Sequence, residues 1–191
     1  QTGVRRMSFI ETHSTHRYPW YVRLILSLQR RRYGAELEPA RLWGRTPRVF
    51  AAQTLLYRAL ERQDSPIEAA LRSLILVRVS QINWCEFCVD LNSSNAIRRH
   101  VEVSKLEALR DFENSHFYTE REKAALSYAE AMTLANARPE PSTLARLKNH
   151  FSDAAIIELT ALIAFQNLSS KFNAALGVEP QGFCQRPLER T

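Results

Sequence analysis

Leu71-Arg72-Ser73-Leu74-Ile75-Leu76-Val77-Arg78-Val79-Ser80-Gln81-Ile82-Asn83-Trp84-Cys85-Glu86-Phe87-Cys88-Val89-Asp90-Leu91-Asn92 is the stretch on which the reading turns. Its first half is apolar on most faces, as expected of a helix surrounded by other helices. Asn83 can end that helix and cap the next, which places Cys85 and Cys88 in the first turns of a helix running to about Arg98. Residues three apart on a helix stand about 5–6 Å apart at Cβ, so small adjustments bring the two sulfurs into a disulfide. This is the arrangement that thiol–disulfide chemistry requires.

Working outward, Ser65-Pro66-Ile67-Glu68 predicts the start of the apolar helix, with Ser65 as N-cap, Pro66 at the first position and Glu68 closing a capping box. Upstream, Pro19 opens a helix with Tyr21, Leu24, Ile25 and Leu28 on one face, stopped by Gly34. Gly44 and Pro47 bracket a turn, and Val49 to Arg62 reads as a helix with Val49, Phe50, Leu55, Leu56 and Leu60 as core residues. Downstream, Ser104 with Glu107 and Thr119 with Glu122 mark two more capping boxes. The second opens a helix to Ala135 that sets Ala125, Tyr128, Ala129 and Met132 on one face. After Pro139 and Pro141, a short helix spans Ser142 to Phe151. Ser152 then starts a long one, from Asp153 to about Leu176, ended by Gly177 and Pro180. No alternating strand pattern is convincing, so the expectation is an all-α bundle of about eight helices. Residues 1–17 read as a loose N-terminal arm, 18–183 as a single all-helical domain, and 184–191 as a C-terminal tail.

A chain of 191 residues suits one well-buried domain. Its apolar runs fall far short of the roughly 20 residues of a membrane span, and no secretory leader is evident, so the cytoplasm is the expected location. The three cysteines, Cys85, Cys88 and Cys184, are too few for a disulfide scaffold. Ten of the arginines fall in the first fifty residues against three glutamates, which accounts for the net charge of +6. Without interleaved aromatics or a helix-turn-helix, that basic segment reads as a solvated or subunit-contacting face, and no nucleic acid is expected. A structural zinc needs four ligands; there is no second CxxC, and the histidines show no ligand spacing. No metal is expected, and haem, flavin and nicotinamide signatures are missing, so no cofactor is expected either. Cys184 reads as a free thiol.

A helix N-terminus favours a thiolate by about 0.3–1 kcal/mol. Glu86 and Asp90 oppose it, by around 3 kcal/mol for a carboxylate roughly 6 Å away at an effective dielectric of about 20, and by less if they point into water. Asn92, four residues after Cys88, shares its face and offers an amide to a sulfur or a water. Trp84 and Phe87 flank the thiols as walls of an apolar pocket or as core, and Tyr128 offers a hydroxyl. Arg72 and Arg78, inside the apolar helix, call for buried carboxylate partners.

The stretch from Leu71 to Asn92 resembles the signature of the carboxymuconolactone decarboxylase and alkylhydroperoxidase D-like family. Thr119-Glu120-Arg121-Glu122, Ser127-Tyr128-Ala129-Glu130 and Phe172-Asn173-Ala174-Ala175-Leu176-Gly177-Val178-Glu179-Pro180 look like its downstream elements. The resemblance covers roughly Val49 to Phe183. It implies an alkylhydroperoxidase D-like helical bundle that forms homo-oligomers and, in CxxC members, reduces hydroperoxides. Carried over, Cys88 is the attacking thiol and Cys85 the resolving one, with an external dithiol or thioredoxin-type partner as reductant. The family's proton-relay positions, twelve residues before the first cysteine and four after the second, hold Ser73 and Asn92 here, with Glu86, Asp90 and Tyr128 as substitutes. The alternatives are a thiol–disulfide oxidoreductase with little peroxidase activity, and a non-catalytic oligomeric protein with structural or redox-sensing thiols.

Overall fold

Nine α-helices and two short 3-10 turns make up the regular structure among the described residues, 8–11 and 15–184, of the computed structural model, and no strand forms among them. The helices are α1 (Trp20–Tyr33), α2 (Glu38–Trp43), α3 (Pro47–Leu60), α4 (Ala69–Ile82), α5 (Glu86–Arg98), α6 (Val103–Glu107), α7 (Glu120–Thr133), α8 (Pro141–Lys148) and α9 (Asp153–Ala175). α4 is the axis, with α5, α7 and α9 packed around it. That follows from its composition: Leu71, Leu74, Ile75, Leu76, Val77 and Val79 point in every radial direction and all are buried.

Two of the expected helix starts form as read. Thr119 Oγ1 accepts from the Glu122 amide at 3.3 Å while Glu122 Oε2 accepts from the Thr119 amide at 2.9 Å, and Ser152 caps α9 through the Ala155 amide at 3.3 Å. Two others do not. α4 begins at Ala69, because the Ser65 hydroxyl donates to Glu158 and accepts from the Ile67 amide, and Glu68 is drawn to Arg121 at 2.5 Å. α6 starts after Glu102 with no side-chain cap. In the first case ion pairing across the fold outcompetes a local cap.

The bundle has one α-helix more than expected. α2 is six residues long and too short to show a period, and Pro39 in its first turn also reads as a turn residue. On α1 the buried side chains are Val22 and Leu26, whereas Leu24 and Leu28 are exposed with Trp20. On α3, Phe50 and Leu60 are buried while Val49, Leu55 and Leu56 are exposed. Both helices are apolar on two faces, so the neighbours rather than the period decide which is buried. The pairings expected of the α4 arginines are present: Arg72 faces Glu61 at 3.8 Å, and Arg78 Nε donates to Glu130 at 2.6 Å.

Two apolar clusters result. The larger joins α4, α7, α8 and α9. The second gathers Val22, Leu26, Ala40, Phe50, Val178 and Phe183 around Cys85, Phe87 and Cys88, so α1 to α3 and the segment after α9 enclose the start of α5. Within residues 1–17, Ser8 to Glu11 are not loose. The Ser8 amide donates to Glu38 at 3.0 Å, the Phe9 amide donates to the Leu176 carbonyl at 2.9 Å, and the Phe9 ring lies against Gly177. Gly177 has φ +67°, and a Cβ there would meet that ring at 2.9 Å. The rest of the expected arm (residues 1–7 and 12–14) and of the tail (185–191) lies outside the described residues.

Candidate active site

Cys85 is the N-cap of α5 rather than part of its first turn, and its Sγ accepts from the Cys88 amide at 3.2 Å. The two cysteines form a disulfide, with Cα atoms 5.2 Å apart. Asn83 does not cap α5. Its side-chain amide donates to Asn167 at 3.0 Å and Ser170 at 2.9 Å, tying the α4–α5 corner to α9. The corner is turned by Trp84 in the left-handed region, φ +55°, a conformation costly for a bulky residue. In consequence the Trp84 ring is 87% exposed and does not join the core.

Both cysteines are buried, and they line different cavities. Cys88 lines one of about 400 Å³ together with Phe87, Leu91, Asn92, Asn173, Trp43 and residues of α1 and α3. Cys85 lines one of about 550 Å³ together with Trp84, Glu86, Asp90, Arg110 and Cys184. The disulfide stands between the two cavities, one of its cysteines lining each.

The Cys88 side is apolar and aromatic. Trp43 stacks on Phe172 with ring centroids 3.7 Å apart, and Phe87 meets Phe183 edge-on at 6.2 Å. Its polar groups include the amides of Asn92, Gln166 and Asn173. Asn173 Nδ2 donates to Cys88 Sγ at 3.2 Å. Asn92 Nδ2 donates to Ser80 Oγ at 3.3 Å, and Gln166 Nε2 donates to the same oxygen at 2.9 Å. A hydrogen bond donated to sulfur favours the thiolate once the disulfide is reduced, as does the N-terminus of α5.

The residues expected at the site divide accordingly. Phe87, Cys88 and Asn92 share the first cavity; Trp84, Cys85, Glu86 and Asp90 share the second. Asp90 is an anchor, its carboxylate accepting from the backbone amides of Gln181, Phe183 and Cys184 at 2.9–3.0 Å. Ser73 and Tyr128 line neither cavity. Ser73 Oγ accepts from Arg99 at 2.9 Å and donates to the Ala69 carbonyl at 3.1 Å, and the Tyr128 hydroxyl meets Thr160 Oγ1 at 2.9 Å. Ser80, Gln166 and Asn173 belong to the site and have no counterpart in the sequence reading. The signal for two of them is a polar stripe, Gln166-Ser170-Asn173, spaced four and three residues apart on an otherwise apolar helix and wholly buried.

Residues 47–131, which include the disulfide, match the profile of the carboxymuconolactone decarboxylase family. Protein YnjA of Escherichia coli K12 is 40% identical over 164 residues, which are 86% of this chain and 90% of YnjA. The chain belongs to the carboxymuconolactone decarboxylase family. Protein YdfG of Bacillus subtilis 168 is 31% identical over 116 residues, 60% of this chain and 79% of YdfG. Among solved structures, the debrominase Bmp8 is 25% identical with a TM-score of 0.77, matching 87% of this chain and 89% of its own. A peroxidase-related protein with the alkylhydroperoxidase AhpD core, from Ralstonia eutropha JMP134, is 19% identical with a TM-score of 0.84 over 93% and 95% of the chains, and shares the fold. In this family member α1, α2 and the Asn173 turn of α9 lie outside the matched profile, so much of the Cys88 cavity is built by segments beyond it. Among the described residues no group of His, Cys, Asp and Glu is placed to hold a metal ion, and no helix is long and apolar enough to cross a membrane.

Proposed function

We propose that the protein is a thiol-dependent oxidoreductase that reduces hydroperoxides, with Cys88 attacking and Cys85 resolving. The observation that carries this reading is the division of the two cysteines between two cavities, the aromatic one belonging to Cys88, whose Sγ accepts from the lining residue Asn173. In the reduced protein the Cys88 thiolate takes the distal oxygen of ROOH. The O–O bond breaks and the alkoxide leaves as ROH after taking a proton. The Cys88 sulfenic acid is then attacked by Cys85, which expels water and forms the disulfide. The sum is ROOH plus two thiols giving ROH, water and one disulfide. An external dithiol or thioredoxin-type partner supplies two electrons from the Cys85 side, where Trp84 stands exposed as a contact. In a reducing compartment such as the cytoplasm this cycle runs continuously. The exposed stripe Trp20, Leu24 and Leu28 on α1 is the face on which a second copy would pack.

Among the described residues the cavity beside Cys88 is lined by no carboxylate and no histidine. The alkoxide then draws its proton from water or from the dithiol itself, and the general acid catalysis that a carboxylic acid or imidazole supplies, typically about 10²–10⁴-fold, finds no such group there. A second reading sends the same two electrons to a carbon–halogen bond: Ar–X plus two thiols gives Ar–H, X⁻, H⁺ and the disulfide. It is favoured by the likeness to Bmp8 and by an aromatic cavity.

Stopped-flow mixing of the reduced protein with cumene hydroperoxide, a small disulfide and a bromophenol separates these readings. Fast oxidation by the peroxide that is lost in Cys88→Ser, with a dimedone-trapped sulfenic acid accumulating in Cys85→Ser, is the expected result. Oxidation by the disulfide alone or by the bromophenol alone would replace it with exchange or dehalogenation.

A further inference from the structure

We propose that the Cys88 cavity takes an amphipathic monoanion whose carboxylate sits at Arg32 and Arg58 at the mouth and whose reducible group reaches Cys88 at the inner end. This rests on the reading that Cys88 attacks the substrate, and it names that substrate's class.

The cavity runs along α9. Asn173, bonded to Cys88, and Phe165, packed against Tyr57 with ring centroids 5.8 Å apart, both line it. They are eight residues apart on one helix, or about 12 Å along its axis. α3 gives the same direction independently. Its Phe50 belongs to the cluster around the cysteines, and its Tyr57, about 10 Å further along the helix, packs against the main core. The two ends therefore differ in chemistry. The Cys88 end is closed, Cys88 being 3% exposed. The Tyr57 end carries Arg32 and Arg58, both exposed lining residues.

Those guanidiniums are uncommitted. Neither forms an ion pair among the described residues, whereas neighbouring Arg30, Arg62 and Arg99 all do. Arg32 leans over the Tyr33 ring at 5.3 Å from its centroid. The acidic group facing this end is Glu61, whose carboxylate is already held between Arg72 and Arg99. Burial pushes the Tyr57 phenol above its ordinary value, with the Glu61 charge adding to it, so the hydroxyl stays protonated as a donor. Between the ends lie Ile25, Phe50 and Leu91, which accept hydrocarbon. An apolar tunnel with a thiol at its closed end and unpaired guanidiniums at its open end selects a molecule with a charged head and a reactive group about 12 Å inward. A medium-chain fatty acid of about ten carbons with a hydroperoxide at its far end has that form.

The test has two arms. Binding is measured by calorimetry on the oxidised protein, with decanoate and decanol as unreactive probes. Decanoate is expected to bind at least about tenfold tighter, and Arg32→Ala/Arg58→Ala to erase the difference. Turnover is measured on the reduced protein with 10-hydroperoxydecanoic acid and its methyl ester, where kcat/KM is expected to favour the acid by a similar factor in the parent and by none in the double variant. Equal affinity for decanoate and decanol, or a preference that survives the double substitution, overturns the proposal. Charge-selective decanoate binding with no turnover of either hydroperoxide leaves the substrate class standing and removes the peroxidase reading instead.

Discussion

Asn173, near the end of α9, donates a hydrogen bond to Cys88 Sγ at 3.2 Å, and its own Oδ1 finds no partner among the described residues. The side chain is 2% exposed, so its donor is aimed at the sulfur with little competition from bulk water. Such a bond stabilises the thiolate more than the thiol and lowers the thiol pKa. Asn173→Leu keeps the volume and removes the donor. The expected result is a Cys88 reaction slower by on the order of 10–100-fold at neutral pH, with the deficit shrinking as the pH rises past the lifted thiol pKa. Iodoacetamide alkylation of Cys88 against pH, in a Cys85→Ser background, reads this directly. An unchanged pH profile would show that the amide is packing alone.

Asn92 occupies the cavity face next to Cys88 but can neither give nor take a proton at neutral pH. Replacing it by histidine puts a titratable group there at the same helical position. Asn92→His is expected to speed hydroperoxide reduction by about 10²-fold, the lower end of the range for general acid–base assistance. Disulfide exchange, which needs less proton transfer, should change little. A variant that gains equally in both reactions would point to an altered thiol pKa rather than to proton delivery.

How far the sequence carried the structure depended on the range of the interactions involved. α4 and α9 were legible because long apolar runs leave few alternatives, and the Thr119 and Ser152 caps because they bond only to residues three positions away. The CxxC and its position at a helix start were equally local. Ser65 and Glu68 were misread because their partners, Glu158 and Arg121, lie far along the chain. The same range hid Gln166 and Asn173, which meet Ser80 and Cys88 only after α9 folds back across α4. The direction of the Trp84 ring hangs on a single positive φ, which no periodicity encodes.

Arg72 is 3% exposed and its charge is met by Glu61, which also binds Arg99. Removing one member of a buried pair leaves the other charge stranded, at a cost of about 3–5 kcal/mol. Glu61→Gln is therefore expected to lower stability by about 3 kcal/mol in urea unfolding, while Glu61→Gln/Arg72→Met loses less than Glu61→Gln alone. Simple additivity of Glu61→Gln and Arg72→Met in that cycle would show that Arg62's carbonyl, which accepts from Arg72 at 3.0 Å, is the partner that matters.

Cys184 tests the electrostatics of the second cavity. Burial of its sulfur pushes the thiol pKa up, and the adjacent Asp90 carboxylate adds to the shift. Its Sγ also donates to the Asp90 carbonyl at 3.1 Å. A raised pKa leaves less thiolate at any pH below it, so Cys184 should alkylate more slowly in the folded protein than in the urea-unfolded chain at pH 8. The two rates should converge as the pH climbs past the folded-state pKa. With Cys85 and Cys88 held as the disulfide, Cys184 is the one thiol available to iodoacetamide, and mass spectrometry follows it without ambiguity. A folded-state rate equal to the unfolded one at pH 8 would mean that Asp90 does not govern this thiol and that the C-terminal segment leaves its place on α5 often enough to react as free chain.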